Sequence, residues 1–260
     1  MAGGALISLG ADTALAQART ELIDRQDLMA AYANAGVMGG MAVYQPVANQ
    51  LTLVNTARTE QRFIPASTFK LCSSLIALET GVVKDVDEAI RYGGMPQPNK
   101  AWERDMSMRD AMPISNVAIY QELARRIGLE RFKAWLGKLD YGNQQTGEIV
   151  DRFWLDGPLR TSAVDQSRFA ARLAEAKLPM SQRSQAMVRD ICRLENSGQR
   201  ILYGKTGWSG RKDGIGWLTG WIEGGASLTS FSINIDMPDI ADAPKRLTIA
   251  KAVLSSLGLY

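Results

Sequence analysis

The sequence predicts an α+β fold: a mostly antiparallel sheet built from both ends of the chain, flanked by helices, with an inserted helical lobe. Strand-like patterns occur at residues 37–54 and return at residues 200–236. Helical spacing of apolar residues dominates between them, from residue 67 to residue 193. The chain has 260 residues, 46% of them hydrophobic, and can bury a large core. These features favour one large domain, or two intertwined lobes, over residues 19–260.

The bounds of the elements follow from local patterns. Apolar residues at helical spacing, followed by turn residues, predict helices at residues 20–33, 67–80, 116–127, 130–139, 165–177, 181–193 and 244–257. Alternating or β-branched segments predict strands at residues 37–44, 51–54, 200–205, 215–223 and 227–236. The sheet lobe would then comprise about residues 19–66 and 198–260, and the helical lobe about residues 67–197.

The segment PASTFKL, which begins at Pro65, carries the first candidate chemistry. It places the hydroxyl of Ser67 and the amine of Lys70 one helical turn apart, on the same face. Pro65 disfavours helix before it, so Ser67 should lie at a helix start, where backbone N–H groups face an incoming ligand. By itself such a pair is more often a helix cap than a catalytic pair.

The absence of histidine excludes several classes of site. A Ser-His-Asp or Cys-His arrangement is impossible, and zinc catalysis normally uses imidazole ligands. We therefore predict no metal. Glycine-rich nucleotide loops are absent, and the 30 basic residues, for a net charge of +3, do not cluster as a nucleic-acid site requires. If Ser67 is a nucleophile, Lys70 is the candidate base.

Two further motifs favour a catalytic role for the serine–lysine pair over a role in helix capping. The sequence Ser115-Asn116-Val117 supplies a second serine, and Lys205 begins the sequence KTG. A serine–lysine pair, a second serine motif and KTG in this order are the signature set of penicillin-binding proteins and class A β-lactamases. Each motif is weak alone, but the ordered set is specific for serine acyl transfer.

The whole set most closely resembles the class D serine β-lactamases, the oxacillinases. Their STFK, S-x-V, YGN and KTG motifs match residues 67–70, 115–117, 141–143 and 205–207. An F-W-L segment matches residues 153–155, and the arginine that opens the last helix matches Arg246. The resemblance runs from Pro65 to Arg246 and implies the β-lactamase/transpeptidase fold. Class A enzymes use an additional glutamate base, for which residues 147–161 offer no convincing counterpart.

The resemblance also implies residue roles. Ser67 would form the acyl-enzyme, and Lys70, carrying carbon dioxide as a carbamate (N6-carboxylysine), would be the general base of acylation and deacylation. Carbon dioxide or bicarbonate would be the only added group, without another cofactor. The remaining implied roles concern catalysis, carbamate support, the oxyanion hole and substrate binding: Ser115 and Lys205 in proton transfer, Val117 and Trp154 around the carbamate, the backbone N–H groups of Ser67 and Trp208 at the oxyanion, and Thr206, Gly207 and Arg246 on the substrate.

The expected partner is a small β-lactam, a penicillin and by extension a cephalosporin, in a periplasmic or secreted bacterial enzyme. No apolar run is long enough for a membrane span. Residues 1–18 are expected to be an export-signal remnant, a non-native addition or a disordered terminus. Ala14-Leu15-Ala16 resembles the site at which a signal peptide is cleaved. Alternatives are a β-lactam sensor domain, which usually has a membrane span, a transpeptidase or carboxypeptidase, which usually has SxN, and an inert scaffold.

The remaining unusual residues receive structural interpretations. Cys72 lies in an apolar run and is interpreted as a buried free thiol, although a disulfide with Cys192 stays open. Residues 141–143 would be simply a turn or a functional motif, on equal grounds. Four tryptophans are interpreted as core or strand-face residues: Trp102, Trp135, Trp217 and Trp221.

Overall fold

The strands come from both ends of the chain, as predicted. The computed structural model describes residues 19–210, 214–224 and 228–260, so residues 1–18 and their leader interpretation lie outside the described part. The strands are β1 (Glu21–Asp24), β2 (Gly39–Gln45), β3 (Gln50–Val54), β4 (Arg193–Asn196), β5 (Ile201–Trp208), β6 (Ile215–Glu223) and β7 (Thr229–Asp236). The helices are α1 (Ala30–Ala35), α2 (Thr56–Glu60), α3 (Lys70–Glu79), α4 (Met108–Ala111), α5 (Val117–Ile127), α6 (Leu129–Leu139), α7 (Ala163–Ala174), α8 (Gln182–Ile191) and α9 (Lys245–Ser256).

The described strands form one sheet in the order β1-β3-β2-β7-β6-β5-β4. The two ends of the chain meet where β2 pairs antiparallel with β7, from Gly39 opposite Ile235 to Tyr44 opposite Ser230. All neighbours are antiparallel except β1 and β3, which are parallel. The α+β class and the mostly antiparallel sheet predicted from the sequence are therefore confirmed.

Helices cover both faces of the sheet. Helix α7 packs against β2, β6 and β7 on one face, and α9 packs against β6 and β7 together with α1. Along β6, Trp217 and Trp221 are fully buried on the α7 side, whereas Leu218 and Ile222 join the cluster that contains residues of α9. The predicted alternation of β6 is confirmed, because successive side chains of a strand point to opposite faces.

The predicted helix at residues 20–33 is wrong in its first half. Residues 21–24 form β1, Gln26–Met29 form a 3₁₀ turn, and only Ala30–Ala35 are α-helical. Leu22, expected on an apolar helical face, is 64% exposed. Pairing of β1 with β3 outweighs the local spacing, since strand formation depends on a partner that lies far away in sequence.

Local sequence patterns do not predict β4 either. Its residues, Arg193–Asn196, are largely exposed and lack apolar alternation, and they follow α8 after one residue. As the edge strand beside β5, β4 buries little of its own surface, so it has no hydrophobic signature.

Helix α3 is the central helix of the helical lobe. Its residues from Lys70 to Leu78 are all buried, among them Cys72. Cys72 and Cys192 are both buried free thiols, and burial raises the pKa of each far above its ordinary value. The free-thiol interpretation is confirmed for Cys72, and the open disulfide alternative is not realised. Within the described residues no helix has the length and apolar character needed to cross a bilayer.

Candidate active site

The chain enters α3 through a 3₁₀ turn, Ala66–Phe69, which sets the geometry of the serine–lysine pair. In a 3₁₀ turn the side chains at positions i and i+3 eclipse each other. Lys70 Nζ accordingly lies 2.8 Å from Ser67 Oγ and is hydrogen-bonded to it. Ser67 reaches the surface of a cavity, whereas Lys70 is fully buried. A nucleophile and its candidate base are therefore in contact, with the base shielded from solvent.

The surroundings of Lys70 are dry and aromatic. Its Nζ lies 5.0 Å from the centre of the Tyr120 ring, and the adjacent Phe69 stacks on Trp154 with ring centres 5.6 Å apart. Burial lowers the pKa of Lys70 well below its ordinary value, and the charge of Lys205 lowers it further. The surroundings of Lys70 therefore favour the neutral amine over the ammonium form.

Trp154 contributes an unsatisfied donor to this region. Its backbone oxygen accepts a hydrogen bond from Ala66 N at 3.0 Å, which ties residue 154 to the turn that carries Ser67. Its indole Nε1 is buried and has no hydrogen-bond partner within the described residues. A buried N–H without an acceptor is costly, so the indole N–H is a candidate ligand for a group that the polypeptide does not supply.

The second serine faces the second lysine. Lys205 Nζ donates to Ser115 Oγ at 2.9 Å and to the backbone oxygen of Thr206 at 3.0 Å. Ser115 adopts a left-handed backbone conformation, with φ = +58°, two residues before the start of α5. Strained conformations of this kind concentrate at functional sites. Val117, the first residue of α5, is half-buried and lines the cavity.

Burial also changes the charges of the two cations on β5 and α9. It lowers the pKa of Lys205 to about 7, with an additional contribution from Arg246. It lowers the pKa of Arg246 to about 10. Arg246 therefore stays a cation at neutral pH, whereas Lys205 titrates near neutrality.

The cavity at Ser67 has a volume of about 270 Å³. Ten further residues line it: Trp102, Ile114, Ser115, Val117, Leu155, Thr206, Gly207, Trp208, Ile240 and Arg246. None of the described lining residues is acidic, and Arg246 contributes a positive charge. The cavity is therefore suited to a small anion with an apolar body.

A close backbone approach explains why residue 207 is a glycine, and the sequence alone did not reveal it. A Cβ at this position would lie 3.0 Å from the Pro65 backbone oxygen and 3.2 Å from Thr68 N. The missing side chain thus allows β5 to pack against the nucleophile turn. Gly207, which the resemblance assigns to substrate binding, also lines the cavity.

Comparison with known proteins supports one family. Residues 31–255 match the family described as the penicillin binding protein transpeptidase domain. The β-lactamase OXA-48 of Klebsiella pneumoniae is 42% identical over 201 residues, which cover 77% of this chain and 76% of that protein. OXA-5 of Pseudomonas aeruginosa is 34% identical over 232 residues, 88% of this chain and 87% of that protein.

Solved structures agree with the sequence comparisons. The class D β-lactamase YbXI from Nostoc superimposes with a TM-score of 0.86 at 37% identity, covering 90% of this chain and 99% of its own. FUS-1 (OXA-85), a class D β-lactamase from Fusobacterium nucleatum, also gives 0.86, at 38% identity, over 91% of this chain and 99% of its own. The chain belongs to the class D β-lactamase family. The resemblance inferred from the motifs is therefore confirmed, as are the enzyme class and the fold.

In this class D β-lactamase, most of the predicted site residues meet at one cavity. Seven of them line it directly: Ser67, Ser115, Val117, Thr206, Gly207, Trp208 and Arg246. Lys70 and Lys205 lie behind the lining, each hydrogen-bonded to one of the two serines. Trp154 is buried and reaches the site through its stack on Phe69.

One tryptophan was assigned to the wrong environment. Trp102, predicted to be a core or strand-face residue, is partly exposed and lines the class D cavity. Its indole N–H donates to the backbone oxygen of Ile114 at 3.1 Å. Sequence reasoning also missed Ile114 and Ile240 at the mouth. The 38% and 51% exposure of these isoleucines is a structural signal that no motif carries.

The YGN motif anchors the loop that carries Trp154. Tyr141 is buried against Phe69, with ring centres 5.5 Å apart. The side chain of Asn143 donates to Pro158 O at 2.9 Å and accepts from Arg160 N at 2.9 Å. The motif is thus more than a turn, since it closes residues 144–159 into a loop and holds that loop against the nucleophile helix.

Proposed function

We propose that this enzyme hydrolyses β-lactam antibiotics, penicillins and cephalosporins, through an acyl-enzyme on Ser67, and that carbamylated Lys70 is the general base of both half-reactions. The observation that carries the proposal is the combination of a buried lysine hydrogen-bonded to Ser67 with a buried indole N–H, that of Trp154, which has no acceptor among the described residues. We further propose that the enzyme acts in the bacterial periplasm or after secretion, where such antibiotics arrive.

The dry pocket favours carbamate formation on Lys70. A neutral amine attacks carbon dioxide, an N–C bond forms, and one proton leaves to solvent. The product is an anion with two oxygens, which accept hydrogen bonds. The indole N–H is only a donor, so it suits this anion and would not suit an ammonium group. Trp154 Nε1, which is buried without an acceptor among the described residues, therefore supports a carbamate on Lys70.

Acylation then follows from the positions of the two serines. Lys70, as its carbamate, accepts the proton of Ser67 while Oγ forms a bond to the lactam carbonyl carbon. The backbone N–H groups of Ser67 and Trp208 stabilise the oxyanion, and one such donor is typically worth about 3 kcal/mol of barrier height. The lactam C–N bond breaks, and Ser115 passes its proton to the leaving nitrogen. The proton that the carbamate took from Ser67 then replaces the one lost by Ser115, so the carbamate is again an anion before deacylation. The cation of Lys205, 2.9 Å from Ser115 Oγ, stabilises that transfer.

Deacylation uses the same base. Lys70, as its carbamate, takes a proton from a water molecule, whose oxygen attacks the ester carbonyl of the acyl-enzyme. The ester C–O bond then breaks, and Ser67 regains its proton. Because one group serves both steps, the enzyme needs no second carboxylate base of the class A kind.

Arg246 and Thr206 would bind the carboxylate that penicillins and cephalosporins carry beside the lactam nitrogen. Both residues line the cavity, and its other lining residues within the described part of the chain include no acid. Arginine presents planar donors that match a carboxylate. Substrate charge and cavity charge are therefore complementary.

Turnover separates the proposed hydrolase from a sensor or a transpeptidase. With a chromogenic cephalosporin in excess, we expect many product molecules per active site. A single stoichiometric burst without further product would contradict hydrolysis and favour a receptor that remains acylated. Transfer of the acyl group to an added amine, in preference to water, would indicate a transpeptidase.

The pKa of Lys205 predicts an alkaline limb in the pH profile. Since burial lowers this pKa to about 7, the cation that supports Ser115 is present below that pH and is lost as pH rises through it. We expect kcat/KM for benzylpenicillin to fall along that limb, whereas kcat should persist to higher pH because bound substrate carboxylate stabilises the cation. Lys205→Arg, which stays charged, should lack the limb. A wild-type profile without an alkaline limb would refute the assignment.

A further inference from the structure

Backbone carbonyl groups fix the guanidinium of Arg246. Nε donates to Ala243 O at 2.9 Å, and one terminal nitrogen, Nη1, donates to Gly207 O at 2.7 Å and more weakly to Trp217 O at 3.4 Å. The other terminal nitrogen, Nη2, makes no hydrogen bond within the described residues. A substrate carboxylate would therefore bind Nη2. The position of Nη2 depends on how the three carbonyl groups are held.

One of those carbonyl groups belongs to the connection between β7 and α9. This connection, residues 237–244, contains Ala243, whose oxygen receives the Nε hydrogen bond. At the start of the same connection, Met237 O accepts a hydrogen bond from the indole Nε1 of Trp208 at 2.8 Å. Strand β5 thus holds the connection at both ends, through the Trp208 side chain and through Gly207 O on Arg246.

Close packing links the two ends of the connection. A Cβ on Gly216, the β6 partner of Trp208, would lie 2.6 Å from Met237 Sδ and 3.2 Å from Arg246 Cδ. Met237 and Arg246 therefore share one narrow space against β6. Close-packed interiors transmit small shifts, so a displacement of Met237 should move Arg246 as well.

We infer that the indole N–H of Trp208 is a positioning group for Arg246. It holds Met237, and with it the β7–α9 connection, so that Nη2 faces the cavity. This role is separate from that of the Trp208 backbone N–H at the oxyanion. It rests on the proposed function only in taking the substrate carboxylate as the ligand of Arg246. A phenylalanine at position 208 could pack similarly but could not donate this hydrogen bond.

The test is a double-mutant cycle read from the second-order rate constant of acylation by benzylpenicillin. One neutral hydrogen bond contributes about 1 kcal/mol, so Trp208→Phe should lower this constant about fivefold, mainly through weaker binding. In the Arg246→Ala background the same substitution should have almost no effect. Gly216→Ala, which crowds Arg246 without removing the indole, should show the same dependence on Arg246.

Trp102→Phe provides the matched control. It also removes an indole hydrogen bond to a backbone oxygen in the cavity wall, but its effect should be additive with Arg246→Ala. An unchanged rate constant in Trp208→Phe, or an equal loss with and without Arg246, would overturn the inference. Acylation does not require turnover, so a wild-type protein that acylates without releasing product would refute the hydrolase and leave this test intact.

Discussion

Replacing Lys70 with alanine is expected to lower kcat for benzylpenicillin by at least about a thousandfold. A positioned general base typically contributes about 10²- to 10⁴-fold to one proton transfer, and here one group is proposed to serve two successive steps. No histidine exists to replace it. Lys70 Nζ is hydrogen-bonded to Ser67 Oγ at 2.8 Å, so the loss should fall on acylation as well as deacylation.

Steady-state and rapid-quench measurements would separate the two steps in Lys70→Ala. Lys177→Ala is a suitable control, because the Lys177 side chain is exposed and pairs with Glu175 at the surface. Circular dichroism should show that both variants are folded. A Lys70→Ala enzyme that keeps turnover within about tenfold of wild type would rule out Lys70 as the base.

Trp154→Phe is expected to slow deacylation more than acylation and to make activity depend on bicarbonate. The substitution keeps an aromatic ring on Phe69 but removes the indole N–H. A hydrogen bond to a charged group contributes about 1.5–3 kcal/mol, so affinity for carbon dioxide should fall by about 10- to 100-fold. Enzyme that loses its carbamate during the catalytic cycle would accumulate as the acyl-enzyme.

Mass spectrometry during turnover, with and without added bicarbonate, would measure that accumulation. Phe153→Leu is the matched control: Phe153 packs edge-on against Trp154, with ring centres 5.0 Å apart, but it supplies no donor. Its variant should show no rescue by bicarbonate. If Trp154→Phe slowed both steps equally, or if bicarbonate failed to restore deacylation, the indole would have a packing role only.

The sequence predicted the site better than it predicted the two edge strands of the sheet, β1 and β4. Ser67, Lys70, Ser115 and Lys205 form two hydrogen-bonded pairs, and each pair includes residues identified from a short ordered motif. Because the chain has no histidine, few residue types can take part in proton transfer beside each serine, and this limits the candidates to lysines in such motifs. By contrast, β1 depends on a distant partner strand, and its sequence alone shows helical spacing.

Other features could not follow from local patterns because they depend on tertiary contacts. The reason for Gly207 lies in its approach to Pro65, more than a hundred residues away in sequence. The place of Trp102 at the cavity depends on its hydrogen bond to Ile114. Likewise, the indole of Trp208 acquires its proposed role through Met237, which lies in the connection between β7 and α9.

The central claim is the chemical state of Lys70, and ¹³C NMR in labelled bicarbonate tests it most directly. We predict one protein-bound carbamate signal in the wild-type enzyme, absent from Lys70→Ala and weaker in Trp154→Phe at the same bicarbonate concentration. The signal should fade in degassed acidic buffer together with activity, and both should return when bicarbonate is added. Full activity in wild-type enzyme that shows no carbamate signal would contradict the account.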